Sequence, residues 1–518
     1  MLPVLFALPA TPASAQIKIL GYSYSTEDTY TDNVNLAPAG SPRQRTAWTS
    51  DVRPTVTVGS AGSGLRMNAT YSPQLLYRVN EKTQDIHHNL TATGAAELVR
   101  QTLFLNASAG VSQVNTSLLG PQSDSNVNTT GNRTSVRTFS LSPRLRPNFG
   151  PEVQGEGSVS YSKASYESAN SGISNAQTAQ VNGSSSESRG VALRLASGPA
   201  FKLNTWSVGY TGNRTESSQN SAVSTSETIS VGGKRLITST LGLIANVGYQ
   251  KTGNSLAGAG GVSNSQGKTW STGLDWSPSP ITHLAATTGR TSYGTTTYSF
   301  DFSHRTPLSV WSAGYNESIT TTHAQSLRPD TVSTASVLDP LFVANFPDPI
   351  AREKAVKDYI AQNGLAQNVS FARSFLTDQT FLTKQLNMSA GIIGKRNTVT
   401  ATVSRTKSQS DSITGGLAGA GDFASSSTVN TTGATLNWTT RITQFTTSNA
   451  SASYTLTEFP GAGVAREDTM KSFRVGVSQR MLPHLFGALN LRRTKSDSTL
   501  SGAGYTENAV VATLRLSY

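Results

Sequence analysis

The chain has 518 residues, of which 36% are hydrophobic and only 14% charged; 42 basic against 30 acidic side chains give a formal net charge of +12, and there is no cysteine. A soluble protein of several domains would carry about a quarter charged residues and more apolar core, and a disordered chain would be charged and poor in aromatics. Here 16 Tyr, 17 Phe and 6 Trp are spread along the whole length. Zero cysteines exclude disulfides and thiolate metal sites. The basic residues are dispersed singly, which argues against nucleic acid as a partner. An anionic glycan or lipopolysaccharide phosphate suits such a positive field better.

The chain begins MLPVLFALPATPASAQ, with apolar Leu2 to Leu8 and a small-x-small site at Ala13-Ser14-Ala15. Residues 1–15 read as a signal peptide whose basic n-region is missing, so its start is truncated. The mature chain, 16–518, reads as one domain. No later stretch of roughly 18 apolar residues occurs, which excludes membrane-spanning helices. Beyond the leader, apolar and polar residues alternate. Leu65, Met67, Ala69 and Tyr71 oppose Arg66, Asn68 and Thr70; Phe139, Leu141, Pro143 and Leu145 oppose Ser140, Ser142, Arg144 and Arg146. Val191, Leu193 and Leu195 flank Ala192 and Arg194, and Phe473, Val475 and Val477 oppose Arg474, Gly476 and Ser478. The final stretch is the cleanest: Val510, Ala512, Leu514, Leu516 and Tyr518 alternate with Val511, Thr513, Arg515 and Ser517. A period of two over the length needed to cross a bilayer at a tilt predicts transmembrane strands.

Connections alternate as well. Short turns at Ser60–Gly64, Val99–Gln101, Pro147–Pro151, Ser197–Ala200, Gly232–Ile237, Pro278–Ile281, Arg305–Pro307, Gly394–Asn397, Thr440–Ile442 and Leu482–His484 are separated by longer polar stretches such as Val114–Ser135 and Gly253–Gly267. Short periplasmic turns and long outer loops characterise outer-membrane barrels, and the spacing predicts an all-β, antiparallel transmembrane barrel of about 22 strands within a range of about 16 to 24. Both ends of the chain then lie in the periplasm. One insertion, 326–377, exceeds the other connections and contains PDPIAREKAVKDYIAQNGL. Asp348 as N-cap, Pro349 at the first position and Gly364 beyond the end predict a helix over 348–363, with Ile350, Val356, Tyr359 and Ile360 on its apolar face. It is a lid or plug at the lumen mouth, or a helix on an outer loop.

Several patches resemble the outer-membrane β-barrel family associated with PEP-CTERM/exosortase and exopolysaccharide loci. They are YTDNVNLAP at Tyr30–Pro38, LLYR at Leu75–Arg78, AELVRQTLFLNASAG at Ala95–Gly110, the helix ending in AQNGL at Leu365, and the strand before the terminal aromatic. The resemblance implies an outer-membrane protein working beside exopolysaccharide synthesis and protein sorting, with no settled biochemical activity. The terminal strand also resembles the signal read by the barrel-assembly machinery.

Convergent catalytic groups are scarce. His87 and His88 are neighbours on a strand and point to opposite faces, which disfavours a metal site. There is no nucleophile elbow, zinc-protease or phosphate-binding motif, and the Gly-rich segments Leu256–Gly261 and Gly415–Gly421 precede no helix; no cofactor and no enzymatic activity are expected. If apolar faces meet lipid, then Arg66, Arg144, Arg194, Arg474 and Arg515 face the lumen, since an arginine in the lipid is costly. Lumen arginines favour anionic solutes. The expected function is a non-catalytic channel exporting an anionic polysaccharide with periplasmic export components; a barrel scaffolding surface glycan or sorted proteins, and a general porin, are the alternatives.

Overall fold

The computed structural model describes residues 17–518 apart from 63, 124, 168–183, 219–222, 256–261, 293, 322–332, 344, 363–379, 411–425 and 462–464. The expected signal peptide and both Gly-rich segments lie outside the described residues. The first part of the wall is β1 (Lys18–Thr31), β2 (Ala47–Ala61), β3 (Leu65–Tyr71), β4 (Gln74–Arg78), β5 (Thr83–His87), β6 (Leu90–Val99), β7 (Leu103–Asn115), β8 (Arg133–Leu145) and β9 (Val153–Tyr166). It continues through β10 (Ser185–Ser197), β11 (Asn204–Ser217), β12 (Val223–Leu236), β13 (Leu241–Ser255), β14 (Val262–Ser279), β15 (Thr282–Arg290), β16 (Thr296–Arg305) and β17 (Ser309–Thr321). Two helices come next, α1 (Thr334–Phe342) and α2 (Pro349–Gln362). The wall then resumes with β18 (Thr380–Ile393), β19 (Asn397–Ser410), β20 (Thr428–Arg441), β21 (Thr446–Phe459), β22 (Arg466–Arg480), β23 (Leu485–Ser498) and β24 (Tyr505–Ser517).

These 24 segments form one antiparallel sheet that closes on itself as a barrel of 22 strands. The difference has a local cause. β2 pairs with both β3 and β4, so those two share one wall position, broken at Ser72-Pro73 where proline has no N–H to give. β5 and β6 share the next position, and Ser72 N–H still donates to the Asn89 carbonyl at 2.8 Å. Closure is made by β24 on β1, in register from Ser23↔Ser517 to Thr31↔Ala509. Tyr518 finishes the seam: its ring stacks between Tyr22 at 5.1 Å and His484 at 4.9 Å.

The short turns fall at one end and the long loops at the other. One turn differs from expectation. Gly232 and Gly233 continue β12, and the chain turns at 237–240 instead. A Cβ on Gly232 would lie 1.8 Å from Asn246 Oδ1, so this glycine makes room for a neighbouring side chain and does not turn the chain. Similarly, β13 and β14 extend well into Gly253–Gly267, leaving only 256–261 between them.

Alternation sets the two faces. Val231, Val247, Leu193, Phe473, Leu489, Val510 and Leu514 are exposed on the exterior, as a wall that meets lipid requires. All 6 Trp lie on that surface; Trp206, Trp276, Trp311 and Trp438 ring the short-turn end, where amphipathic rings suit the headgroup boundary. The terminal-strand residues Val510, Ala512, Leu514 and Leu516 share this face, while Thr513 and Arg515 turn inward. A charge on each face separates the two environments. Val231→Lys, mid-wall and outward, is expected to destabilise the barrel by about 2–4 kcal/mol. Thr211→Lys, at a similar height but inward, is expected to stay within about 0.5 kcal/mol. Urea unfolding in lipid vesicles measures both, and equal losses would contradict the facing.

Candidate functional site

The lumen is the candidate site. Its wall is rich in threonine, with Thr29, Thr31, Thr49, Thr400, Thr402, Thr457 and Thr494 buried. Among these stand the five arginines expected to line it. Register places Arg66 opposite Ala61 and Ala95, Arg194 opposite Glu156, and Arg474 opposite Arg492. Arg144 lies 3.6 Å and Arg146 3.1 Å from Glu156, so these two meet around the carboxylate that Arg194 opposes in register. Arg515 neighbours Phe486, on whose ring Arg480 stacks at 6.0 Å. The five therefore form no single ring. They gather in two sectors, β8–β10 and β22–β24, with Arg66 apart on β3. In the first sector a cavity of about 1210 Å³ opens at the short-turn end, lined by Arg100, Arg146, Glu156, Arg194, Lys234 and Asn246 among others. Lys234 is itself held by Asp275 at 3.1 Å.

The long-loop end is crossed by the connection between β7 and β8, residues 116–132, which turns into the barrel. Asn132 sets that turn: its Oδ1 accepts from Thr116 Oγ1 at 2.7 Å and Ser117 N–H at 3.0 Å, and its Nδ2 donates to the Ser117 carbonyl at 2.9 Å. Gly131, at φ +67°, supplies the left-handed step that brings the chain back. The loop then reaches the opposite wall. Leu118 packs with Phe381, Val429 and Phe459, all buried, from β18, β20 and β21. Arg466 donates to the Leu119 carbonyl at 2.8 Å, Tyr505 to the Gln122 carbonyl at 2.7 Å, Asn126 to Gln74 at 2.6 Å and Thr129 N–H to the Val34 carbonyl at 3.0 Å.

At the centre of this closure is Glu507, 3% exposed. Its Oε1 accepts from Asn128 at 2.8 Å, Thr31 at 2.9 Å and Arg492 at 3.1 Å. A second polar knot lies beside it on β2, β4 and β5. Gln74 donates to Asp51 at 2.5 Å, while Arg53 pairs with Asp51 and Arg78 with Asp85. A buried charge needs a partner and further hydrogen bonds, and the loop completes that set for Glu507.

The insertion joins β17 to β18 at this same end, and its helices reach down to the other. Ser333 caps α1, accepting from Ser336 N–H at 3.0 Å, and Asp348 caps α2, accepting from Ala351 N–H at 2.9 Å. Val337 packs on Val310, and Leu338 with Val356 and Ile360 forms a buried cluster beside Ile393. Arg305 donates to the Pro340 carbonyl at 3.0 Å, and Tyr359 shares a hydrogen bond with Thr398 at 2.7 Å. Arg305, Val310, Ile393 and Thr398 all sit beside short turns and face inward. The helices thus lie inside the lumen near the short-turn end, across from the mouth at which a lid was expected. The side chains of Pro349 and Ile350 lie outside the described residues. Helix α1 escaped the sequence reading because Pro340 interrupts it. The inward loop escaped it as well; its signal was an apolar Leu118-Leu119 and a lone Val127 within a Ser/Asn-rich stretch.

His87 and His88 point to opposite faces, His87 in register with Gln74 and His88 stacked on Tyr71 outside. Among the described residues no group of His, Cys, Asp or Glu could hold a metal ion.

The likeness to known proteins lies in the barrel. The FrpB iron transporter of Neisseria meningitidis, as apoprotein, matches with a TM-score of 0.52 at 10% identity, over 97% of this chain and 82% of that one. The ferric-catecholate import receptor Fiu of E. coli K12, in its open form, matches with 0.50 at 10% identity, over 96% and 81%. At such identity the fold is shown and nothing finer. No family model matches the sequence, and no curated protein matches it.

The Glu507 knot has a direct test. Glu507→Ala strips Asn128 and Thr31 of their acceptor and leaves Arg492 buried without its partner, an expected loss of about 3–5 kcal/mol. Limited proteolysis should then cut within 116–132, which the parent protects. Pairing the change with Arg492→Met should restore most of the stability but not the protection.

Proposed function

We propose that the chain is an outer-membrane barrel of a Gram-negative bacterium, with its short-turn end in the periplasm, that acts as a gated, non-catalytic conduit for an anionic polysaccharide. The observation that carries the reading is the asymmetry of the lumen. A basic chamber opens at the short-turn end while loop 116–132 crosses the long-loop end. Such a chamber draws an anionic polymer from the periplasm and holds it through many weak polar contacts, which lets a chain slide. Barrels of this fold carry the names of an iron transporter and an import receptor, which supports transport as the class of function. The polysaccharide, and periplasmic export components as partners, rest on the sequence patches that resemble the PEP-CTERM-associated family. The strand ending at Tyr518 suits recognition by the barrel-assembly machinery.

The second reading is a closed barrel that scaffolds surface glycan or sorted proteins. It is favoured by the packing of α1 and α2 within the lumen. Planar-bilayer recordings decide between them. The intact barrel is expected to conduct weakly, and a variant with residues 117–131 replaced by a short Gly-Ser linker to conduct strongly with anion preference. A cation-selective or silent loop variant would remove the conduit and leave the scaffold.

A further inference from the structure

Directly opposed like charges on neighbouring strands are unfavourable, yet the exterior of this barrel carries them repeatedly. On β18–β19 Lys384 faces Lys407, and on β22–β23 Lys471 faces Lys495. Two residues before each second lysine stands another outward cation, within the tetrapeptide Arg-Thr-Lys-Ser at 405–408 and again at 493–496. Alternation sends the intervening Thr406 and Thr494 into the lumen and keeps Arg405 and Arg493 outside. Each hairpin therefore presents the same triangle, Lys384/Arg405/Lys407 and Lys471/Arg493/Lys495. Directly opposed positions are about 5 Å apart and diagonal ones about 7–8 Å.

A third opposed pair shows fuller neutralisation. Arg189 faces Arg214, and two acids serve this cluster: Glu187, which also holds Lys163 at 2.7 Å, lies 3.8 Å from Arg189, and Glu216 lies 2.7 Å from Arg214. The triangles are served by half as much. Glu317 holds Lys384 at 3.0 Å and Asp497 holds Lys495 at 3.0 Å. Among the described residues Arg405, Lys407, Lys471 and Arg493 make no ion pair. Their height is informative too. On the short-turn side of the triangles the exposed faces turn apolar, with Met388, Ile392 and Val403 on one hairpin and Phe473, Val475, Val477, Leu489 and Leu491 on the other. The cations thus stand at the edge of the lipid-facing band, on the side of the long loops.

We propose that these two triangles are docking sites for the phosphates of the outer-leaflet glycolipid, the phosphorylated disaccharide head of lipopolysaccharide. The proposal rests on the outer-membrane orientation of the conduit reading and goes beyond the conduit itself. Phosphate oxygens accept charge-assisted hydrogen bonds from Lys and Arg, the opposed pairs hold two donors at a spacing that one phosphate bridges, and the acyl chains continue along the apolar face beneath. Occupancy turns an unfavourable like-charge pair into a favourable triad.

This gives an unusual signature. The paired variants Arg405→Ser/Lys407→Ser and Lys471→Ser/Arg493→Ser are expected to equal or exceed the parent in stability in neutral detergent, because repulsion is relieved. Each paired variant is expected to lose about half of the fluorescent lipopolysaccharide bound by the detergent-solubilised barrel, and the combination of both pairs to weaken binding roughly tenfold. Lys407→Arg and Lys471→Arg should retain it. Dephosphorylated lipopolysaccharide should bind no better to the parent than to the variants, and inorganic phosphate should fail to compete. Equal binding of the dephosphorylated lipid, or full binding by the Ser variants, would overturn the proposal. Equal competition by phosphatidylglycerol would overturn it in favour of a general anionic-lipid surface. None of these readouts depends on conductance, so failure here leaves the conduit reading intact, and the reverse holds.

Discussion

Backbone hydrogen bonding in a medium without water is the constraint on which the rest of this molecule depends. An unpaired N–H or C=O costs several kcal/mol in hydrocarbon, so a membrane-crossing sheet must have no free edge. Here the last strand meets the first between Ser23 and Thr31 on one side and Ala509 and Ser517 on the other. The seam continues past the ladder, since Tyr22 and Tyr518 exchange backbone hydrogen bonds of 3.1 and 2.9 Å. Even the interruptions obey the rule. At Ser72-Pro73 the wall loses a donor, and Ser72 N–H bonds to the Asn89 carbonyl across the gap.

Closure then dictates composition. With the exterior committed to lipid, every second residue faces an enclosed space that water or protein must satisfy. A threonine-lined wall offers hydroxyls at low volume. Where the lumen is dry enough to bury Glu507, Arg492, Asp51 and Arg78, the wall alone cannot supply enough partners, and loop 116–132 contributes Asn126 and Asn128. A buried ion pair of this kind contributes more to uniqueness than to net stability, because breaking one side leaves an uncompensated charge. It fixes where the loop sits.

The same division explains what could be read from the sequence. Strand positions follow from a period of two, a purely local property, and so the wall and most of its turns were legible. Gly232 was misread because glycine serves both turns and close packing, and only the presence of Asn246 distinguishes them. The grouping of arginines into two sectors was not legible, because register between strands decides it: Arg194 is set opposite Glu156 across a hairpin whose loop is long and polar. The inward course of 116–132 was least legible. Asn128 meets Glu507 at a separation of 379 residues, and Leu119 meets Arg466 at 347, so no local window contains the reason for the fold. The α2 helix was legible through its Asp348-Pro349 start, while its depth in the lumen depends on Val310, Ile393 and Thr398, which belong to other strands.

The two closures of the lumen differ in kind, and the difference bears on how each could open. Loop 116–132 is tied mainly by directional polar bonds to the wall, with Leu118 as its principal apolar anchor. Hydrogen bonds of that sort exchange for bonds to water or to a polar solute at small net cost, since a typical one contributes only about 0.5–1.5 kcal/mol net. Helices α1 and α2 are held to the wall and to each other by Val337, Leu338, Val356 and Ile360, with the Arg352–Asp339 pair at 2.9 Å between them. Separating that cluster exposes apolar surface at about 25 cal/mol per Å², which no polar solute offsets. Water or a polar solute can therefore compete for the loop's bonds but not for the apolar contacts that hold the helices. Of the two, the loop is held by contacts that a polar medium can replace, and the helices by contacts that it cannot.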